Sequence, residues 1–295
     1  MGMRTSEWRA VICVLALCAG GTRAAEGINT ATRAEPVLFP FCIDWHDAKK
    51  RGFDEQAAML KELGYTGVGH IWLDKVEERL ASLDAVGLKL YQITMTVDLA
   101  SDKPPYDAAR FKQVLEAVKG RGVQFLLIMK GAPASDESYD GRAVALVREM
   151  SELAKESGAQ LLIYPHTKDW VETIEDAVRV AKKVDRTNVG VMFNLCHFLR
   201  VCPDRDYRTR LQQALPYLWS VSINGADTRD DQPGWGRYIQ PLGSGDFDMA
   251  AFLKTLREVG YTGAVGLQCY GIGGDAREHL ARSLAAWKRL NAEGK

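Results

Sequence analysis

The chain has 295 residues, 46% hydrophobic and 26% charged, the composition of an ordinary globular protein large enough for one sizeable α/β domain. Lys plus Arg and Asp plus Glu total 38 each. With no long basic run to break that balance, a nucleic-acid partner is not expected.

Residues 1–25 read as a signal peptide. Arg4 and Arg9 give a positive start, weakened by Glu7, and an apolar run covers 11–19. Thr22-Arg23-Ala24 offers small side chains at the minus-three and minus-one positions of a cleavage site. The run is far short of the roughly 20 residues a membrane helix needs. The expectation is a secreted or periplasmic protein with no membrane attachment after cleavage. A lipid anchor on Cys18 is not expected, because Leu17 stands where a lipoprotein box needs a small residue. Residues 26–36 read as a linker, and residues 37–295 as the folded domain. Beyond the signal lie Cys42, Cys196, Cys202 and Cys269, without CxxC or zinc spacing. Buried free thiols are the expected state, with a Cys196–Cys202 bridge open to an oxidising compartment.

From Val37 the pattern turns regular. A first strand over 37–45 is followed by a helix over 54–63, stopped by Gly64. Strand 67–73 and helix 75–85 come next, then strand 89–97 and helix 107–119. Strand 123–129 ends at Lys130-Gly131, and helix 141–156 stops at Gly158. Two more strands, 161–164 and 189–193, flank a helical stretch over 170–184. Helix 206–214 leads to strand 218–223. An irregular segment over 224–246 then breaks the rhythm, its length suited to a lid or substrate-binding element. Helix 249–259, with Asp246 as its N-cap, strand 264–268 and helix 276–291 complete the chain. Short apolar runs with little alternation fit strands covered on both faces. Eight strand–helix units in this length predict a (β/α)8 TIM barrel. An open doubly wound sheet is disfavoured, because no GxGxxG turn follows the first strand.

In such a barrel chemistry sits where strands end. The strand ends present Asp44 and His46; His70 and Trp72; Gln92, Thr94 and Thr96; Lys130; Tyr164 and His166; Asn194 and His197; Ser222, Asn224 and Asp227; Gln268 and Tyr270. Four of the five histidines fall here, and imidazole is suited to proton transfer near neutral pH. His279, in the last helix, is expected at the surface. Lys130 could neutralise an enolate or phosphate. Trp45, Trp72 and Trp235 could stack on a sugar ring or simply pack the core.

The stretches LLIYPH (161–166), VGVMFNLCHFL (189–199), SVSINGAD (220–227), IQPLGSGDFD (239–248) and GYTGAVGLQCYGIGGD (260–275) resemble the xylose isomerase-like TIM-barrel proteins, a superfamily of sugar isomerases, epimerases and apurinic endonucleases. The resemblance implies a divalent metal such as manganese or magnesium, held by a Glu, an Asp, a His and a Glu on strands five to eight, the two glutamates moving the proton. At those positions this chain carries Tyr164, Asn194, Ser222 or Asn224, and Gln268. Only the histidine three residues after the strand-six ligand is kept, as His197.

Neutral side chains supply none of the charge that holds a hard cation, so no metal and no other cofactor is expected. Two readings stand. In the first, His166 or His197 is the base alpha to a carbonyl, and Lys130 or His70 stabilises the enolate. Asp44, His46, Trp72, Tyr164, Asn194, Ser222, Asn224, Asp227 and Gln268 would then bind a small carbohydrate or keto-sugar. In the second, the chain is a non-catalytic carbohydrate-binding barrel derived from an isomerase. Self-association into a homo-oligomer is compatible with either.

Overall fold

Apolar runs punctuated by glycine become strands and helices in alternation. The computed structural model describes residues 1–2, 36–43, 46–100, 102–229 and 234–292. The expected signal peptide and linker, apart from residues 1, 2 and 36, lie outside these residues, as do Asp44, Trp45 and positions 230–233. The elements are β1 (Leu38–Phe41), α1 (Phe53–Leu63), β2 (Gly67–Ile71), α2 (Val76–Val86), β3 (Lys89–Asp98), α3 (Ala108–Ala117), β4 (Gln124–Lys130), α4 (Asp140–Lys155), β5 (Gln160–Ile163), α5 (Ile174–Val184), β6 (Val189–Asn194), α6 (Leu195–Val201), α7 (Tyr207–Ala214), β7 (Leu218–Ile223), α8 (Met249–Glu258), β8 (Val265–Gln268) and α9 (Ala276–Ala292).

All ladders are parallel, and the eight strands run in the order β1-β8-β7-β6-β5-β4-β3-β2. This is the expected (β/α)8 barrel. At the seam, β2 comes up against β1: a Cβ on Gly69 would lie 2.7 Å from Cβ of Phe41. Glycine is required there by close approach, not by a turn.

The period of two along each strand creates two cores. One set of side chains packs outward against the helices, with Phe111, Phe125, Phe193 and Phe252 among its largest members. The other fills the barrel: Phe41, Leu126, Ile128, Leu162, Tyr164 and Met192. Below them Gln92 donates to Oε1 of Gln124 (3.0 Å) and to Oγ of Ser220 (2.7 Å), and Gln124 donates to Oε1 of Gln160 (3.0 Å). Amides buried inside a barrel need such partners. They place Gln92 in a polar layer near the strand starts, away from the strand-end site where the sequence suggested it.

Several boundaries differ from expectation. β1 and β2 stop at Phe41 and Ile71, because Cys42 (φ 60°) and Trp72 (φ 68°) turn into the left-handed region. Residues 164–173 are a loop rather than the start of a helix, and Thr173 caps α5 in a capping box with Asp176. α6 was not anticipated. It follows β6 without a linker, capped by Asn194. Asp248, not Asp246, caps α8; Asp246 instead accepts from the backbone N and Oγ1 of Thr228. His279 is buried on α9, contrary to the expected surface position. The four cysteines beyond residue 36 are free thiols.

Candidate active site

A cavity of about 320 Å³ opens at the C-terminal ends of the strands. Its wall includes Cys42, Trp72, Thr94, Thr96, Lys130, Tyr164, His166, Asp169, His197, Trp235, Ile239, Gln268 and Tyr270. Ten residues singled out from the sequence therefore meet: Trp72, Thr94, Thr96, Lys130, Tyr164, His166, His197, Trp235, Gln268 and Tyr270.

Two histidines form its centre. The rings of His166 and His197 lie 4.2 Å apart, tilted by 47°. His166 sits in the loop after β5. That loop is held to the end of β4 by Trp170 N donating to Met129 O (3.0 Å), and closed by Asp169 N donating to His166 O (3.0 Å). The turn brings Oδ2 of Asp169 to 2.6 Å from Nδ1 of His166. A carboxylate there accepts from Nδ1 and orients the ring, leaving Nε2 as the nitrogen that can take a proton.

His197 belongs to α6 and is 4% exposed. Its Nδ1 accepts from the backbone N of Thr167 (3.1 Å), with Thr167 Oγ1 at 3.0 Å. An N–H donor at Nδ1 requires a lone pair there, so the ring proton resides on Nε2. Burial, reinforced by His166 and Arg200, holds the His197 pKa well below the usual histidine value. His197 is thus a neutral ring and a hydrogen-bond donor.

Trp235 packs edge-on against His197 at 5.0 Å, and the Arg200 guanidinium covers its ring at 4.4 Å. Trp235 comes from the irregular segment after β7, which is pinned down. Gly225 and Gln240 exchange backbone bonds (2.9 and 2.8 Å), Asp227 N donates to Arg237 O (2.8 Å), and Gln240 Nε2 donates to Asp227 Oδ2 (2.7 Å).

Other expected site residues have structural partners. His70 points away from the cavity: along β2 it alternates with Gly69 and Ile71, so its ring meets Phe53 of α1 at 5.7 Å and its Nε2 lies 2.8 Å from Asp74 O. It cannot stabilise an enolate formed beside His166. His46 stands behind the wall, its ring 4.9 Å from Tyr270. Asp227 holds the irregular segment rather than facing the cavity. Asn224 donates to the carbonyls of Gly225 (2.8 Å) and Tyr238. Asp44 lies outside the described residues. Asp169 and Thr167 were missed. The His-x-x-Asp spacing from 166 to 169 was the available signal for the first, whereas a backbone N–H donor such as that of Thr167 has no sequence signature.

The four positions aligned with metal ligands lie close together but do not suit a hard cation. Asn194 pairs in register with Ser222. Its Nδ2 donates to the Tyr164 hydroxyl (2.6 Å), and its Oδ1 accepts from Cys196 N (3.1 Å). Burial raises the Tyr164 pKa well above the ordinary phenol value, so no phenolate forms near neutral pH. Gln268 Oε1 accepts from Tyr270 N (3.0 Å). Two amides, a phenol and a hydroxyl, most already committed, lack the anionic oxygens that bind manganese or magnesium. Among the described residues, no three His, Cys, Asp or Glu side chains gather closely enough to hold a metal.

A 3-keto-D-glucoside 4-epimerase from E. coli superposes with a TM-score of 0.67 at 16% identity, over 88% of this chain and 100% of that one. A Mycobacterium smegmatis protein of xylose isomerase-like fold, in complex with magnesium, superposes with a TM-score of 0.64 at 19% identity, over 88% and 98%. These likenesses concern the fold. An inosose isomerase from Bacillus licheniformis is 23% identical over 167 residues, covering 54% of this chain but only 59% of that protein. The family model described as xylose isomerase-like TIM barrel matches residues 57–290. The chain belongs to the xylose isomerase-like TIM barrel family.

Proposed function

We propose that this protein is an exported isomerase or epimerase that moves a proton alpha to the carbonyl of a small carbohydrate without a divalent metal. The observation that carries the reading is the His166–His197 pair, one ring backed by Asp169 and the other held as a donor by Thr167. His166 takes the proton from carbon, and the electron pair moves onto the carbonyl oxygen. The Nε2–H of His197 and the Lys130 ammonium receive the developing negative charge, the task of an oxyanion site. His166 then returns the proton to the neighbouring carbon while the adjacent hydroxyl gives its proton to the former carbonyl oxygen, which isomerises the sugar; inversion at the same carbon instead needs the proton delivered to its opposite face by a donor other than His166. The related proteins named above are a keto-glucoside epimerase and an inosose isomerase, which supports this substrate class. Export rests on the apolar run and cleavage pattern of residues 1–25.

The test is incorporation of solvent deuterium into a panel of ketoses and keto-sugars, followed by NMR, with and without a chelator. Exchange that survives the chelator is expected. Exchange abolished by the chelator and restored by manganese would overturn the metal-free mechanism. Saturable sugar binding with no exchange across the panel would replace catalysis by carbohydrate binding.

A further inference from the structure

The cavity does not end at Lys130. A second, wider groove of about 780 Å³ lies on the other side of the same wall, and Trp72, Thr96 and Lys130 line both spaces. Its far side is formed by Pro104, Pro105 and Tyr106 in the connection between β3 and α3, and by Ala108 at the start of α3. Asp98, at the end of β3, adds a carboxylate to its lining. The inner cavity is at the small end of the range that encloses small ligands, about 300–1,000 Å³. The two together exceed what one sugar ring needs.

The partition is built with care. Trp72 is 37% exposed, an unusual state for a tryptophan, and takes φ 68°. Bulky residues rarely adopt that conformation, and such outliers cluster where function holds them. Its backbone N donates to Thr94 O (2.8 Å), anchoring the main chain at the boundary. On the other flank Gly131 has φ 87°, and a Cβ there would lie 2.0 Å from Oδ1 of Asp98. Only glycine lets the end of β4 come this close to the end of β3, which sets Lys130 beside Asp98.

We infer that the outer groove is a second sugar subsite, so that the physiological substrate is a glycoside or disaccharide whose reacting ring enters the inner cavity while its second ring crosses the Trp72–Lys130 partition. This inference rests on the proposed sugar site and names its substrate class. An indole face and two prolines offer apolar surface to the C–H side of a pyranose. The Asp98 carboxylate and Lys130 ammonium offer hydrogen bonds to its hydroxyls.

The experiment is calorimetric titration of the full chain with D-glucose, D-galactose, D-fructose, cellobiose and lactulose. At least one disaccharide is expected to bind about tenfold more tightly than its own monosaccharides, about 1.4 kcal/mol. The Ala108→Trp variant, filling the groove from the exposed first turn of α3, should bring that ratio close to one; circular dichroism verifies that it is folded. Monosaccharide binding without any disaccharide preference overturns the second subsite and leaves the sugar site standing. A preference that survives Ala108→Trp also overturns it. No binding of any sugar overturns both readings.

Discussion

The backbone N–H of Thr167 donates to Nδ1 of His197 at 3.1 Å, and this bond divides the labour between two rings only 4.2 Å apart. With its Nδ1 lone pair engaged and its pKa held far below the ordinary value, His197 has no basic nitrogen to offer the cavity. His166, backed by Asp169, is left as the base of the proposed reaction. The sequence alone had left that choice between the two open.

The division can be tested by substitution. His166→Ala should lower alpha-proton exchange by about 10²–10⁴-fold, the usual contribution of a positioned acid–base group. His197→Gln keeps an N–H close to the place of Nε2 and should retain more activity than His197→Ala. Deuterium exchange followed by NMR reads both. If His197→Gln were as inactive as His197→Ala while His166→Ala kept near-normal turnover, the roles would be reversed.

The same burial ties stability to pH. His197 is held well below the usual histidine pKa, and His279 is pushed down to about 4, by burial first and then by Arg282, against partial opposition from Asp47 and Asp275. The unfolded chain binds protons at these sites below about pH 6.5, whereas the native chain does not. Their contribution to stability is therefore present above about pH 6.5 and falls as pH drops toward 4. Lowered carboxylates such as Asp47 and Asp176 act below that window, because their ordinary value is already 3.8. Urea midpoints at pH 7.5 and 5 should differ, and His279→Gln should reduce the difference. Equal midpoints at the two pH values would contradict the assignment.

The barrel was legible because each strand is an apolar run and most helices end at a glycine, so local pattern and global fold agree. The polar strand ends were legible for the same reason: Lys130, Tyr164, His166 and Gln268 interrupt runs that would otherwise continue. What escaped was long-range or compact. Asn194 ends a strand and caps a helix at once, so α6, only seven residues long, left no separate pattern. His279 shares the inward face of α9 with Ala276, Leu280 and Ser283, a spacing of three and four that marks burial, but its polarity suggested solvent. His70 lay at a strand end but on the wrong parity, and the period of two would have excluded it.

Asn194 links the missing acids to the fold. It caps α6 through Cys196 N and donates to the buried Tyr164 hydroxyl. Asn194→Ala removes both contacts and should cost about 1–3 kcal/mol, a fall in Tm of about 2–4 °C per kcal/mol for a domain this large. Asn194→Asp retains the capping oxygen and should cost less. Prolonged dialysis against a chelator should leave the Tm of the unmodified protein unchanged, since this oxygen set does not suit a divalent ion. A chelator-induced drop in Tm, reversed by manganese or magnesium, would show that it does.

Gly131 and Gly141 make a contrasting pair. At Gly131 the backbone has φ 87°, and a Cβ would lie 2.0 Å from Asp98 Oδ1 and 2.8 Å from Ala100 N. Alanine there suffers both a disfavoured conformation and a collision, so Gly131→Ala should destabilise by more than about 1 kcal/mol. Relief of the clash also pushes β4 away from β3 and moves Lys130, which should reduce turnover beyond any loss of folded protein. Gly141 lies in α4 with nothing within 4 Å of the added Cβ. Gly141→Ala should therefore stabilise, by about 0.5–1 kcal/mol, because alanine loses less backbone entropy on entering a helix. Urea unfolding of the two variants should bracket the unmodified protein, and turnover per folded molecule should fall only for Gly131→Ala. Equal turnover in both would detach the packing of Asp98 against Gly131 from the placement of Lys130.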